Sequence, residues 1–371
     1  MCAHLLRPEV SGAVSVQRPG GAEVTVLIPA HNEAAGIGET IFSLQCQSLL
    51  PRRIIVVADN CDDGTEDIAR RYGVEVLVTA NNADKKAGAL NFALERILPE
   101  LAPEDVVLVQ DADSQLDRDF LERAAGYLAA DRRLGAVGGV FRGGSGGGLV
   151  GHLQRNEYAR YARDIQRLNG KCLVVTGTAA LFRVRTLREV SEARLAGILP
   201  PGNGRGGVYD TSVLTEDNEL SFALLSLRYR ILSPVDCGLV TEVMPSWREL
   251  WSQRLRWKRG AVENCFQYGW SDVTRPYWGR QLLSLLGVVV TFAYLGTVAF
   301  ALATGAGLRI HPFWLAVTGV FVIERAVTVR LRGWRYMVAA ATMYELLFDV
   351  FLQLVFAKAY LDAALHKKKV W

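Results

Sequence analysis

Four short apolar runs, at 24–28, 53–57, 74–79 and 105–110, alternate with stretches of helical character at the start of the chain. No other feature constrains the fold as strongly. Runs rich in Val and Ile, without in–out alternation, suit strands buried on both faces of a parallel sheet. Helical stretches at 33–47, 65–72 and 87–98 supply the crossovers, with Gly73 placed to close the second. The pattern predicts a doubly wound open α/β sheet. Ligands of such sheets gather outside the carboxyl ends of the strands. Residues 29–33, 59–64 and 111–113 all lie at such ends, within reach of one nucleotide.

The pattern changes after the glycine run at 143–148. Residues 149–168 read as a Tyr- and Arg-rich helix and 174–184 as a strand. Residues 202–207 read as a glycine-rich loop able to cover a site, 230–233 as the last strand, and 246–269 as one or two amphipathic, Trp-rich helices.

The apolar residues are unevenly spread, and beyond about residue 280 they dominate. Residues 282–303 carry no charge, and about 20 such residues span a bilayer. A shorter segment at 312–330 and a third at 337–357 follow. The third holds Glu345 and Asp349 one helical turn apart. At mid-bilayer each would cost about 2.5–3.5 kcal/mol, so that face should meet protein, or the helix should lie in the interface. Arg254, Arg256, Lys258, Arg259, Arg275 and Arg280 crowd the approach to the first run, a bias that marks the cytoplasmic side. The expectation is a tail at 1–22, a soluble domain at 23–275 and a multi-pass membrane region at 276–371, with the soluble domain cytoplasmic and oligomers forming through the membrane helices. Residues 1–22 lack the apolar core of a signal peptide. A net charge of +4 gives no reason to expect nucleic acid. The six cysteines form no CxxC pair and read as reduced thiols.

Three strings carry chemistry. Asp111 and Asp113 are hard oxygen donors after a buried strand, suited to Mg²⁺ or Mn²⁺ beneath a diphosphate; alone, Asp-x-Asp is more often a solvated turn. Glu216 and Asp217, in Thr215-Glu216-Asp217, offer a proton acceptor; alone, they read equally as an acidic helix start. Gln253 through Trp257 combine a cation, Arg256, for a leaving diphosphate with an indole for a sugar ring. The competing reading is a membrane-surface helix, given Trp247 and Trp251 nearby. His31 has no nucleophile beside it and reads as a structural or nucleotide contact.

Taken together, the chain resembles family 2 glycosyltransferases of the GT-A fold. The likeness is to the membrane-attached synthase type that makes cellulose, chitin, hyaluronan and poly-N-acetylglucosamine, and it covers about residues 23–275. Pro29-Ala30-His31-Asn32-Glu33 is similar to the opening nucleotide motif, and Asp59 with its turn to the acidic group near uracil. Lys86, Gly88 and Asn91 match a donor-binding signature, and Asp111-Ala112-Asp113 the metal motif. Gly177, Thr178 and Arg183 resemble the acceptor-side segment, Thr215-Glu216-Asp217 the base motif, and Gln253, Arg256 and Trp257 the terminal one.

The resemblance implies inverting transfer from a UDP-sugar to a saccharide or lipid-linked acceptor. Asp217 would be the base, Glu216 its neighbour, and a divalent metal the cofactor. No membrane helix precedes the domain and no cellulose-synthase gating loop is visible, which implies addition of one or a few sugars. A non-catalytic membrane scaffold and a nucleotidyltransferase are the alternatives; release of UDP rather than pyrophosphate separates them.

Overall fold

A computed structural model of the protein describes residues 21–305 and 312–367. Residues 1–20 of the expected tail, and 306–311 and 368–371 of the expected membrane region, lie outside these. The first half runs β1 (Val24–Ala30), α1 (Ile37–Gln45), β2 (Arg53–Ala58), α2 (Thr65–Arg71), β3 (Glu75–Val78), α3 (Lys85–Ile97) and β4 (Val106–Gln110). Then come β5 (Ser114–Leu116), α4 (Phe120–Ala130), β6 (Leu134–Gly138), β7 (Val140–Gly143), α5 (Gly148–Arg167), β8 (Ala179–Arg183) and α6 (Val184–Leu195). The rest is α7 (Glu216–Ser226), β9 (Arg230–Leu232), β10 (Gly238–Thr241), α8 (Trp247–Tyr268), α9 (Arg275–Thr304), α10 (Pro312–Thr328), α11 (Trp334–Ala341) and α12 (Leu346–Ala364).

Seven strands form one sheet in the order β3-β2-β1-β4-β8-β6-β9. β1, β2, β3 and β4 are parallel, and β8 runs antiparallel between β4 and β6. The chain steps outward from β1 to β3, then returns to β4 on the other side of β1. That reversal opens a crevice at the carboxyl ends of β1 and β4. A smaller sheet, β5-β10-β7, packs beside it.

The side-chain period of two explains the layering. Leu27, Ile55, Val57, Val107 and Val109 face α3, α6 and α7 in one core. Val26, Ile28, Val56 and Leu108 face α1 and α4 in the other. β1 continues through Pro29 to Ala30, past the predicted end at 28. Proline is tolerated because β1 pairs with β4 only as far as Leu27, so no bond on that side needs its missing N–H. The strand at 230–233 is not the last: β10 follows, a four-residue strand too short to stand out in sequence.

α7 is buried on almost every side. Its Glu219 pairs with Arg194 of α6 at 2.6 Å, both side chains fully buried, and accepts a further hydrogen bond from the Tyr268 hydroxyl at 2.5 Å. Removing one partner of such a pair costs about 3–5 kcal/mol, so this network holds α7 in place. α8 is one continuous helix, started by Ser246, whose side chain accepts from the Glu249 N–H. Gly260 of α8 lies so close to Thr215 that a Cβ there would fall 2.5 Å from its hydroxyl oxygen, and Asn264 donates to the Thr215 carbonyl at 3.1 Å. Glycine is needed there to seat α8 on the start of α7.

Of the membrane expectation, the coarser part holds: the described residues include one apolar helix able to span a bilayer. Among the described residues only α9 is, by itself, long and apolar enough to cross a membrane; a second span exists only if the bent pair α11–α12 counts as one. α10 has 17 residues and carries Arg325 in its last turn. α11 and α12 are bent by 71° at a break containing Met343, whose φ is 58°. α12 turns back onto α8: Phe351 meets Trp247 edge-on with ring centroids 4.9 Å apart. Glu345 and Asp349 do face protein. Glu345 is 1% exposed and pairs with Arg160 at 2.5 Å and Arg325 at 2.8 Å; Asp349 also pairs with Arg325.

Candidate active site

The crevice is built from strand ends. At the end of β4, Asp111 Oδ1 accepts from Lys86 Nζ at 2.5 Å. The same ammonium donates to the Gly177 carbonyl at 3.2 Å and lies 3.3 Å from Glu216 Oε1. Burial opposes the charge on Lys86, but Asp111 and Glu216 outweigh it and hold the ammonium protonated. Asp113 Oδ1 accepts from the Ser114 hydroxyl at 2.9 Å and, more weakly, from that of Thr241 at 3.4 Å.

Glu216 and Asp217 open α7, where the helix N-terminus favours negative charge. Asp217 Oδ2 accepts from the Gly177 N–H at 2.9 Å, and Oδ1 from the Asn218 N–H at 2.8 Å. Burial and then Glu216 push its carboxyl up to about 6, against the pull of Lys86. Glu216, despite burial, is held below the ordinary range by Lys86 and Arg256. The two adjacent acids are thus split: one a fixed anion beside a cation, the other a weak acid poised to exchange a proton. A Cβ on Gly177 would lie 3.1 Å from Asp217 Oδ2. The absence of a side chain there lets the backbone approach the carboxylate.

A cavity of about 1180 Å³ joins these groups. Its lining includes Lys86, Asp111, Asp113, Gly177, Thr178, Glu216 and Asp217, and from α8 Gln253, Arg256 and Trp257. Arg254, buried between them, donates to Glu157 at 2.8 Å and to Gln253 at 2.6 Å, and its guanidinium lies 4.4 Å from the centre of the Trp257 ring. That contact fixes the indole.

Five other sequence candidates form an adjoining shelf. His31 Nδ1 is 2.6 Å from the Asp59 carbonyl, Asn32 accepts from the Asp62 N–H, and the Glu33 N–H donates to Thr65. Asp59 is 6% exposed, and its Oδ1 accepts from Thr79 at 2.6 Å and Asn82 at 2.9 Å. Pro29, buried within β1, supports this rim. The shelf abuts the cavity electrostatically: burial first, then Asp113, Glu242 and Asp111, push the Glu33 carboxyl up to about 7.

Three candidates have other employment. Gly88 is needed for close packing, since a Cβ would fall 2.2 Å from Asn82 Oδ1. Asn91 bonds both the N–H and the carbonyl of Tyr209, tying α3 to the segment that leads into α7. Arg183 lies at the opposite end of β8 from Gly177, because β8 runs antiparallel and sets Arg183 level with Val106 at the start of β4. It donates to the Leu134 and Asp131 carbonyls, away from the cavity.

Two groups were missed. Thr241 and Glu242, at the end of β10, line the cavity beside Asp113. An acidic residue directly after an apolar strand is the signal that could have found Glu242. Tyr158 and Tyr161, on one face of α5, line it as well.

Among the described residues no group of three or more His, Cys, Asp or Glu side chains is arranged to hold a metal unaided. The donor set nevertheless fits a divalent cation shared with a ligand. Burial raises the carboxyls of both Asp111 and Asp113, Asp111 to about 6, and each is raised further by an acidic neighbour, so a cation would relieve crowded negative charge. Asp113, with Asp111 beside it, would supply two hard oxygens; phosphate and water would complete the shell.

An α/β sheet of this topology, with acidic residues gathered at its switch point, is a GT-A-like glycosyltransferase fold. The family model for glycosyl transferase family 2 matches residues 25–191. The chain is 27% identical, over 288 residues, to the poly-β-1,6-N-acetyl-D-glucosamine synthase of Staphylococcus aureus strain COL, covering 74% of this chain and 64% of the relative. It is 26% identical, over 290 residues, to the protein of that name from Staphylococcus epidermidis, covering 73% and 64%. The match thus spans less than two thirds of these relatives' length. A mannosyltransferase from Pyrobaculum calidifontis, solved with GDP-Man and Mn²⁺, superposes with a TM-score of 0.61 at 23% identity, over 94% of this chain and 89% of that one. That likeness concerns the fold.

Proposed function

We propose that this protein is an inverting glycosyltransferase that moves a sugar from a UDP-sugar to a hydroxyl of a saccharide or lipid-linked acceptor. The site of transfer is the cytoplasmic face of the cell membrane. The observation that carries the reading is the placement of Asp217. Its carboxylate is aimed by two backbone N–H groups, pushed up to about 6, and set in the same cavity as Asp111, Asp113 and Arg256.

The acceptor hydroxyl attacks the anomeric carbon as the bond to the diphosphate breaks, and Asp217 takes the hydroxyl proton. Lys86 holds Asp111 and Glu216 in register. Arg256 stabilises the charge that develops on the departing diphosphate. Mg²⁺ or Mn²⁺ on Asp113 and Asp111 would supply further neutralisation of that diphosphate. Trp257 and Gln253 border the acceptor side, with Gly177 and Thr178. The shelf from Pro29 to Glu33 and Asp59 suits the nucleoside end. α9, 30 residues long and 6% buried over its most apolar window, supports membrane attachment.

The relatives' product makes an N-acetylglucosamine donor the first to try, and the mannosyltransferase of similar fold makes GDP-mannose a necessary control. The experiment is a donor screen on purified membranes. One nucleotide sugar should release its nucleoside diphosphate without pyrophosphate. Release of pyrophosphate would favour a nucleotidyltransferase, and no release with any donor a non-catalytic scaffold.

A further inference from the structure

The same cavity is lined by aromatic rings that the transfer step leaves unused. Tyr158 and Tyr161 are three residues apart on α5 and share a face. Phe141 of β7 stacks on Tyr161, with centroids 5.2 Å apart and planes 19° from parallel, and meets Tyr158 edge-on at 4.7 Å and 87°. All three line the cavity; Tyr158 is 4% exposed, while Phe141 and Tyr161 are half-buried. Rings that served only a core would be closed over; Tyr158 is, but Phe141 and Tyr161 in front of it open on solvent-accessible space. At about 1180 Å³ the cavity exceeds the roughly 300–1,000 Å³ of sites that take one small ligand. Room remains for more than a donor.

The wall also has a polar edge. Burial, with Cys172 and Asp217 adding to it, keeps the Tyr161 phenol protonated, so it is a hydrogen-bond donor within electrostatic reach of the base. A partly open, stacked pair of rings with a donor at its rim suits a pyranose ring, whose C–H face stacks while its hydroxyls bond outward. Trp257, fixed by Arg254, offers a second platform across the same cavity.

We propose that Phe141 and Tyr161, backed by the buried Tyr158, form a carbohydrate subsite that seats a sugar ring beyond the one presenting the attacking hydroxyl. The acceptor is then a saccharide of at least two rings, rather than a small anion or a bare lipid. This rests on the glycosyl-transfer reading and narrows its acceptor.

The test is binding, measured on the full chain in detergent with UDP and Mn²⁺ present. The probes are three pentasaccharides: β-1,6-linked N-acetylglucosamine, β-1,4-linked glucose and α-linked mannose. At least one should bind. Tyr161→Ala should weaken it by about tenfold or more, and Tyr161→Phe, which keeps the ring, by less than about threefold. UDP affinity should stay within about twofold in both, since the wall does not touch the nucleotide shelf. Three results would each overturn the subsite: full pentasaccharide affinity in Tyr161→Ala, loss of UDP affinity in step with the sugar, or UDP binding by the parent with no pentasaccharide binding. A parent that binds no nucleotide would remove the transfer reading, and the subsite with it.

Discussion

Asp217→Asn should lower turnover by about 10²–10⁴-fold, the usual worth of general-base assistance, while donor affinity changes little. The substitution keeps the side chain's shape, and its amide oxygen can still accept one of the two backbone hydrogen bonds that aim the group. It cannot accept a proton. Glu216→Gln should cost less, because Glu216 acts through Lys86. Two wider consequences follow from the carboxyl value of about 6. The group works only when ionised, so turnover at saturating donor should fall about tenfold per pH unit below 6 and be level above it. The asparagine variant should lack that acid limb. If 215–219 were only an acidic helix start, both variants would turn over normally and lose a little stability; donor affinity, turnover and a pH profile on each decide the matter.

Asp113→Ala should cut transfer by about 10³-fold or more, a barrier increase of about 4 kcal/mol, yet leave the protein folded. The second half of that expectation comes from burial. A carboxyl raised in the folded state opposes folding once it is ionised, so removing it at neutral pH relieves the native state. Ser114 and Thr241 lose an acceptor but remain 3.0 Å from one another. Chelation with EDTA should match the variant's loss in the parent protein and do nothing further to the variant. Transfer undiminished by either treatment would remove the metal from the account, and a melting curve separates lost chemistry from lost fold.

What could be read from the chain follows from how each element is stabilised. The parallel strands are buried on both faces, so their apolar runs were visible, and the motifs at their ends fell on one edge. Lys86 and Asp111, 25 residues apart, meet there, as does Glu216. The second sheet was invisible because its strands have three or four residues and exist only through pairing across more than 90 positions, as Val140 with Gly238 shows. Glu242 was missed with it. Arg183 lies away from the cavity because β8 runs antiparallel, which nothing local in 174–184 reports. Asn91 sat in a donor-like string, but Tyr209, 118 positions away, takes both ends of its amide. The details of the membrane region were hidden for a related reason. Apolar composition at 312–330 and 337–357 could not show that Arg325 pairs with Glu345 and Asp349, or that the chain breaks at Met343.

The most direct test of the central claim is the anomeric configuration of the product, read by NMR as it forms from an α-linked UDP-sugar chosen by the donor screen. A single displacement assisted by Asp217 predicts a β-linked product in the first turnovers, with one UDP released per bond. An α-linked product would contradict it, whatever the rates of the variants.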